Sequence, residues 1–312
     1  MANDWTRRSF LAAGASAALA MAAARQARAE LQDVQVGSEL RGRTSPVCVF
    51  SKHLQFLDYP ALAQACKDLG LDGVDLTVRE GGHVLPERVA EDLPQAVEAI
   101  RAAGLQVPQI TTRFTKDDGA TTRAVFEAAS KAAIPCIRIG GHQYDFDQDV
   151  LGQLKQVEAD LRGLVKLAEE FELTLGYHNH SGARNVGAPL WDLLRVYETI
   201  ASPRLGANLD FGHAMVEGSY GAWEITAHAL APHVKMVAVK DFVWNGAKPK
   251  WVPMGEGIVP IASLLRILHE KQLTPPVSIH VEYKVKDNPA MLDAVRTGNT
   301  VVRAAMAEAV SA

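Results

Sequence analysis

ELTLGYHNHSG at residues 172–182 and LGANLDFGHAM at residues 205–215 decide how this chain reads. In the first stretch an apolar run ends in Tyr177-His178-Asn179-His180, and in the second another ends in Asn208-Leu209-Asp210-Phe211-Gly212-His213. Polar side chains therefore crowd the C-terminal ends of two hydrophobic strands. In parallel α/β proteins chemistry sits at that end, where the loops are held by a rigid scaffold yet remain open to solvent. Side chains alternate along a strand, so His178 and His180 are expected on one face and Asn179 on the other. Two imidazoles and a carboxylate from adjacent strands would then converge on a cation.

Outward from this pair, short apolar runs alternate with longer amphipathic segments. Strands are expected at 47–50, 73–78, 106–111, 136–140, 173–178, 205–210, 234–239 and 277–282. Helices are expected at 59–69, 86–103, 121–133, 149–171, 189–200, 222–230, 261–271 and 289–310. Eight strands, each followed by a helix, predict a (β/α)8 TIM barrel in a single domain over residues 45–312. Several helices open on a proline, and Gly70 and Gly104 announce the second and third strands. A doubly wound sheet also alternates strand and helix, but no strand here runs into GxGxxG, and the count of eight fits closure.

Seven of the eight strand exits carry ionisable groups at one end of that barrel. The first runs into Lys52, the second into Glu80 and His83, and the fourth into His142. The fifth ends in His178 and His180, the sixth in Asp210 and His213, the seventh in Lys240-Asp241, and the eighth in His280-Val281-Glu282. A single such residue is more often solvated or structurally paired; the signal is their convergence. His178, Asp210 and Glu282 with His213 nearby form a mixed N/O set that suits Mn, Zn, Co or Fe more than Ca, with Mg also a candidate. The competing reading is a hydrogen-bonded network without a metal. Lys52, Glu80, His83 and His142 are candidate substrate contacts. Trp244, Trp251 and Phe242 are candidates to stack on a sugar face or to pack a lid. Gly255 and Gly257 permit close approach to a substrate, or a turn at positive φ.

Over residues 45–310 the chain resembles the sugar phosphate isomerase/epimerase family of xylose isomerase-like TIM barrels, which also includes endonuclease IV. The resemblance is carried by His178-Asn179-His180 where the family often has ENH, Asn208-Leu209-Asp210-Phe211-Gly212-His213, Val239-Lys240-Asp241, His280-Val281-Glu282-Tyr283 and the loop Val252 to Gly257. It implies a divalent ion held by groups from the fifth to eighth strands, and proton transfer beside a ketose carbonyl. Carried over by position, Asp210 and Glu282 match. His178 replaces a glutamate, and Ala238 stands where a histidine is usual. The implied activity is a metal-dependent isomerase or epimerase of an unphosphorylated sugar or keto-sugar. Glu282 or His180 would act as base, and Lys240 would steady the developing enediolate oxygen. Two alternatives stay open: a 3-keto-glycoside lyase or hydrolase on the same barrel, and a periplasmic sugar-binding barrel without catalysis.

The first 29 residues read as a targeting segment rather than as fold. Thr6-Arg7-Arg8-Ser9-Phe10-Leu11 is a twin-arginine pattern, an Ala-rich apolar run reaches Ala24, and Ala27-Arg28-Ala29 supplies a small-x-small cleavage site. A polar leader over residues 30–44 follows. The apolar run is shorter than the about 20 residues of a membrane-spanning helix, so no stable membrane anchor is expected. Taking its four Arg and one Asp from the 32 basic and 36 acidic residues leaves a net charge of −7. That balance argues against nucleic acid as a partner. The expectation is a periplasmic or secreted protein that meets a small carbohydrate, with self-association into a homo-oligomer left open. Cys48, Cys66 and Cys136 lie in apolar contexts without CxxC and read as buried free thiols.

Overall fold

A computed structural model describes residues 44–311. The targeting segment and almost all of the leader expected from the sequence lie outside the described residues. In order, the elements are β1 (Val47–Phe50), α1 (Tyr59–Asp68), β2 (Gly73–Thr77), α2 (Val89–Ala102), β3 (Gln106–Thr111), α3 (Ala120–Lys131), β4 (Cys136–Ile139), α4 (Val150–Glu170) and β5 (Thr174–His178). There follow α5 (Trp191–Ile200), β6 (Leu205–Asp210), α6 (Phe211–Glu217), α7 (Ala222–Leu230), β7 (Val234–Val239), β8 (Asp241–Asn245), β9 (Lys248–Val252), α8 (Ile261–Glu270), β10 (Val277–Ile279) and α9 (Asn288–Ser311).

Eight of these strands close into one parallel ring in the order β1-β10-β7-β6-β5-β4-β3-β2. The ring shuts where Val47, Cys48 and Val49 pair with Val277, Ser278 and Ile279. Nearly every strand position is buried because both faces are covered, one by the helices and one by the barrel interior, so the strands read as continuous apolar runs. Outside the ring Leu62, Leu93, Ile100, Phe126, Leu161 and Leu164 are fully buried between helix and sheet, each worth roughly 1.5–3 kcal/mol of transfer free energy. Local chemistry starts the helices: the Asp58 carboxylate accepts from the Ala61 N–H at 2.9 Å, and the Asp149 carboxylate from the Gly152 N–H at 2.8 Å.

Inside the ring the two-residue period brings polar side chains together. Asp75 on β2 accepts from the Thr111 hydroxyl on β3 at 2.7 Å and from the Ser278 hydroxyl on β10 at 2.8 Å, tying three strands across the axis. Cys48, Cys66 and Cys136 are buried free thiols, and burial pushes the thiols of Cys66 and Cys136 up to about 12.

The eight barrel strands fall where the apolar runs predict them. β10 is shorter than expected, because the chain leaves the sheet at His280. Two additions sit on the C-terminal mouth. The Asp210 carboxylate caps α6 directly from the end of β6, accepting from the His213 N–H at 2.9 Å. Between β7 and α8, β8 and β9 form an antiparallel hairpin.

Candidate active site

The mouth of the barrel is built around Asp210, which is wholly buried at the end of β6. Its backbone is gripped from β5: Asp210 N–H donates to Asn179 Oδ1 at 2.7 Å, and Asn179 Nδ2 donates to the Asp210 carbonyl at 3.2 Å. With Oδ1 committed to the helix cap, Oδ2 faces the pocket. There His178 Nε2 lies 3.6 Å from it and Lys240 Nζ 3.0 Å. Lys240 Nζ also lies 2.6 Å from His213 Nε2 and 4.6 Å from the centre of the Trp251 ring. Since an ammonium can only donate, His213 Nε2 is the acceptor, and His213 Nδ1–H donates to Ser181 Oγ at 2.8 Å.

A second cluster lies at the closing seam. Glu282 Oε2 is 3.7 Å from Lys52 Nζ, and Glu282 Oε1 is 3.9 Å from His280 Nδ1. His53, on the turn after β1, accepts from the Val281 N–H at 2.9 Å through Nε2. The His280 ring stacks on Phe50 at 4.7 Å and on His178 at 6.0 Å, so the two clusters share a wall.

Electrostatics set the protonation states. Burial holds the imidazoles of His178, His213 and His280 well below the ordinary histidine range, and the cations Arg138 and Lys240 push them the same way. Burial likewise pulls His53 down to about 4. These rings are neutral at pH 7, the form that ligates metals. Burial works to raise the Glu282 carboxyl, but the cations Lys240, Lys52 and Arg138 outweigh it and hold it below the usual range, so it is ionised. Burial lowers the Lys240 ammonium, opposed by Asp210 and Glu282.

Two groups of side chains bring three ligand atoms within 4.8 Å of one another: His178 with Asp210 and His213, and His53 with His280 and Glu282. Two neutral imidazoles and a carboxylate are a donor set suited to a divalent transition metal, so the first group fits one chemically. Ser181 orients His213 through Nδ1, and Asn179 fixes the Asp210 backbone.

The four metal ligands expected from the sequence thus fall into two groups, with Glu282 in the second. His180 lies beyond the end of β5 and is exposed, its Nδ1 2.8 Å from the Ser181 carbonyl and its ring 3.8 Å from that of His213. Lys52 pairs with Glu282. Glu80 is exposed on the loop after β2. His83 is tied to that loop through Thr77, at 3.3 Å from Nδ1 to the hydroxyl. His142 sits between the Tyr177 hydroxyl at 3.0 Å and the Asp160 carboxylate at 3.5 Å, neither of which belongs to the two groups. Trp244 is largely exposed on the hairpin, and it is Trp251 that reaches Lys240 and His213. Gly255 has φ +91 and donates its N–H to Asp241 at 3.0 Å, which is the turn reading. His53, His280, Asn179 and Arg138 were given no role at the site from the sequence. His280 shares a face with Glu282 at a spacing of two, and Arg138 is the lone charge in the apolar strand CIRI; both signals were available.

Among solved structures the fold is similar to a 3-keto-D-glucoside 4-epimerase from E. coli (14% identity, TM-score 0.67, 84% of this chain and 100% of that one). It is also similar to an IOLI protein solved with a zinc atom (13%, TM-score 0.70, 84% and 98%) and to a D-psicose 3-epimerase from Clostridium cellulolyticum H10 solved with D-tagatose (9%, TM-score 0.66, 84% and 99%). Comparison with curated protein sequences finds no match. The family model described as xylose isomerase-like TIM barrel matches residues 63–301, and with the closed ring of eight parallel strands this places the chain in that family.

Proposed function

We propose that the protein is a metal-dependent isomerase or epimerase of an unphosphorylated sugar or keto-sugar, working by proton abstraction beside a carbonyl. The observation that carries this reading is the meeting, at one barrel mouth, of two neutral imidazoles and the Asp210 carboxylate with an ionised Glu282 and a buried Lys240. The epimerases among the structural neighbours support it. His178, Asp210 and His213 would hold the ion. When bound there it would polarise a substrate carbonyl and acidify the adjacent C–H.

This chain's own groups would do the rest. Glu282, kept ionised by Lys52 and Lys240, takes the proton from the carbon next to the carbonyl. Lys240 donates to the enediolate oxygen that develops. His180, exposed beside His213, would return a proton. The Trp251 ring face lies 4.6 Å from the ammonium, and the burial of Lys240 strengthens its interactions.

A second reading keeps the first step and replaces the second. β5 supplies an imidazole, His178, rather than a carboxylate, so Glu282 is the one carboxylate in the two groups that is neither buried outright nor bound to a backbone N–H. One base suffices for elimination from a 3-keto-glycoside, with loss of the glycosidic oxygen. Incubating the Mn- or Zn-loaded protein in D2O with free ketoses and with 3-keto-glucosides separates the two: deuterium beside the carbonyl with an epimeric product supports the first, aglycone release the second. No exchange and no release from either class would sink both. Fewer than about 0.1 equivalents of ion after loading would remove the metal role.

Export by the twin-arginine route belongs to the same proposal and rests on Arg7, Arg8 and the Ala-rich run after them. Among the described residues no helix is long and apolar enough to cross a membrane. The acidic balance of the chain supports a small carbohydrate over nucleic acid as partner.

A further inference from the structure

We infer that the Lys240 ammonium and a divalent ion are alternative occupants of the Asp210 centre, so that the ion enters only as the lysine leaves. The inference rests on the metal reading above and deepens it. Lys240 Nζ stands 3.0 Å from Asp210 Oδ2 and 2.6 Å from His213 Nε2, two of the three ligand atoms an ion needs. His213 has no other lone pair to offer, because Nδ1 carries the proton given to Ser181. Asp210 has no other free oxygen, because Oδ1 caps α6. A resident ammonium therefore stands where a metal would, hydrogen-bonded to His213 and ion-paired with Asp210, whose buried Oδ2 has no hydrogen-bond partner among the described residues.

The two cations cannot share this centre. A metal bonded to a carboxylate oxygen at about 2.0–2.2 Å would lie against the ammonium, and both Asp210 and Lys240 are buried from solvent screening. The second group offers the ion no ready alternative. His53 already spends its acceptor nitrogen on the Val281 N–H, so coordination there would cost a backbone hydrogen bond.

The lysine side chain passes against a glycine. Its stem lies over Gly212, where a Cβ would stand 2.6 Å from Lys240 Cγ and 3.0 Å from Trp251 Cζ3. The register pairs Asp210 on β6 with Ala238 on β7, a small residue two positions before Lys240 and so on the same side of the chain. Leaving Asp210, the ammonium has Glu282, or a substrate oxyanion, as its next anionic partner. Lys240 thus holds the centre charge-balanced at rest and is released to the substrate when the ion arrives.

Calorimetric titration of the full chain with Zn and with Mn tests this. Lys240→Met is expected to bind each ion at least about tenfold more tightly than the wild type, the scale set by removing one buried like charge from beside a cation. Lys240→Arg, which keeps the charge, should remain weak, and Asp210→Asn should abolish binding. Equal or weaker binding by Lys240→Met, with binding still lost in Asp210→Asn, overturns the competition and leaves the metal reading standing. No binding by any form overturns both. Should Lys240→Met fail to fold, judged by circular dichroism, the wild-type protein crystallised with Mn decides. The inference holds if Nζ has left hydrogen-bond reach of Asp210 and His213, and falls if Nζ stays within about 3.2 Å of either with the ion in place.

Discussion

His53 accepts a hydrogen bond from the backbone N–H of Val281, 228 positions away, and so binds the turn after the first strand to the exit of the last. Glu282 follows directly, so the imidazole acts as a positioning group for that carboxylate. His53→Ala leaves a buried N–H unpaired, a cost of about 1–3 kcal/mol. The substitution should lower the melting temperature by several degrees and lower kcat more than it raises KM. His53→Gln, whose Oε1 can accept the same bond, should recover most of the stability. An alanine variant as stable and as active as wild type would refute the link.

The Asp241 carboxylate is buried and accepts four backbone N–H groups, from Phe242 at 2.9 Å and from Gly255, Gly257 and Val259 at 3.0 Å each. It therefore pins the loop that follows the hairpin. Asp241→Asn sets an amide N–H against those donors and should destabilise by about 2–4 kcal/mol, with faster hydrogen exchange across residues 253–259. Gly257→Ala should do the same for a steric reason, since its Cβ would fall 2.0 Å from Asp241 Oδ1. Unchanged exchange in both variants would show that the loop is held elsewhere.

Acid should unfold the metal-free protein by charging its buried imidazoles. His53 falls from the ordinary 6.5 to about 4 in the folded state. The unfolded chain thus takes up the proton first as pH drops. Stability is complete above 6.5 and is lost as pH falls from 6.5 toward 4, by up to about 3 kcal/mol from this residue. His178, His213 and His280 are displaced in the same direction and add to the slope. Urea midpoints measured at pH 7.5 and pH 5 should differ clearly, and His53→Gln should reduce the difference. A flat profile over that range would contradict the neutral assignment.

The architecture was legible because each barrel strand is buried on both faces, which leaves a short apolar run that helix periodicity does not blur. The β8–β9 hairpin was less so, although Asn245-Gly246 between two mixed runs is a hairpin signal; Gly246 takes φ +60 at its tip. A strict strand–helix alternation has no place for it. α6 escaped for another reason: Asp210 is at once the last strand residue and the helix cap, so no loop separates the two. At the mouth, the ionisable exits could be read from spacing. Their grouping could not, because it depends on how side chains from neighbouring strands meet. Lys240 inserts between Asp210 and His213, and His53 reaches Val281 across the seam, contacts that no local window of sequence contains.

That seam has a consequence for biosynthesis. Three residues of β1 wait for three of β10, so two unpaired sheet edges persist until β10 has been made. Lys52 and His53 acquire Glu282 and Val281 only when the ring shuts. A polypeptide ending before Val277 would hold His178, Asp210, His213 and Lys240 but lack His280 and Glu282, so the carboxylate base proposed above reports the closing of the ring and not the folding of the bulk of the chain.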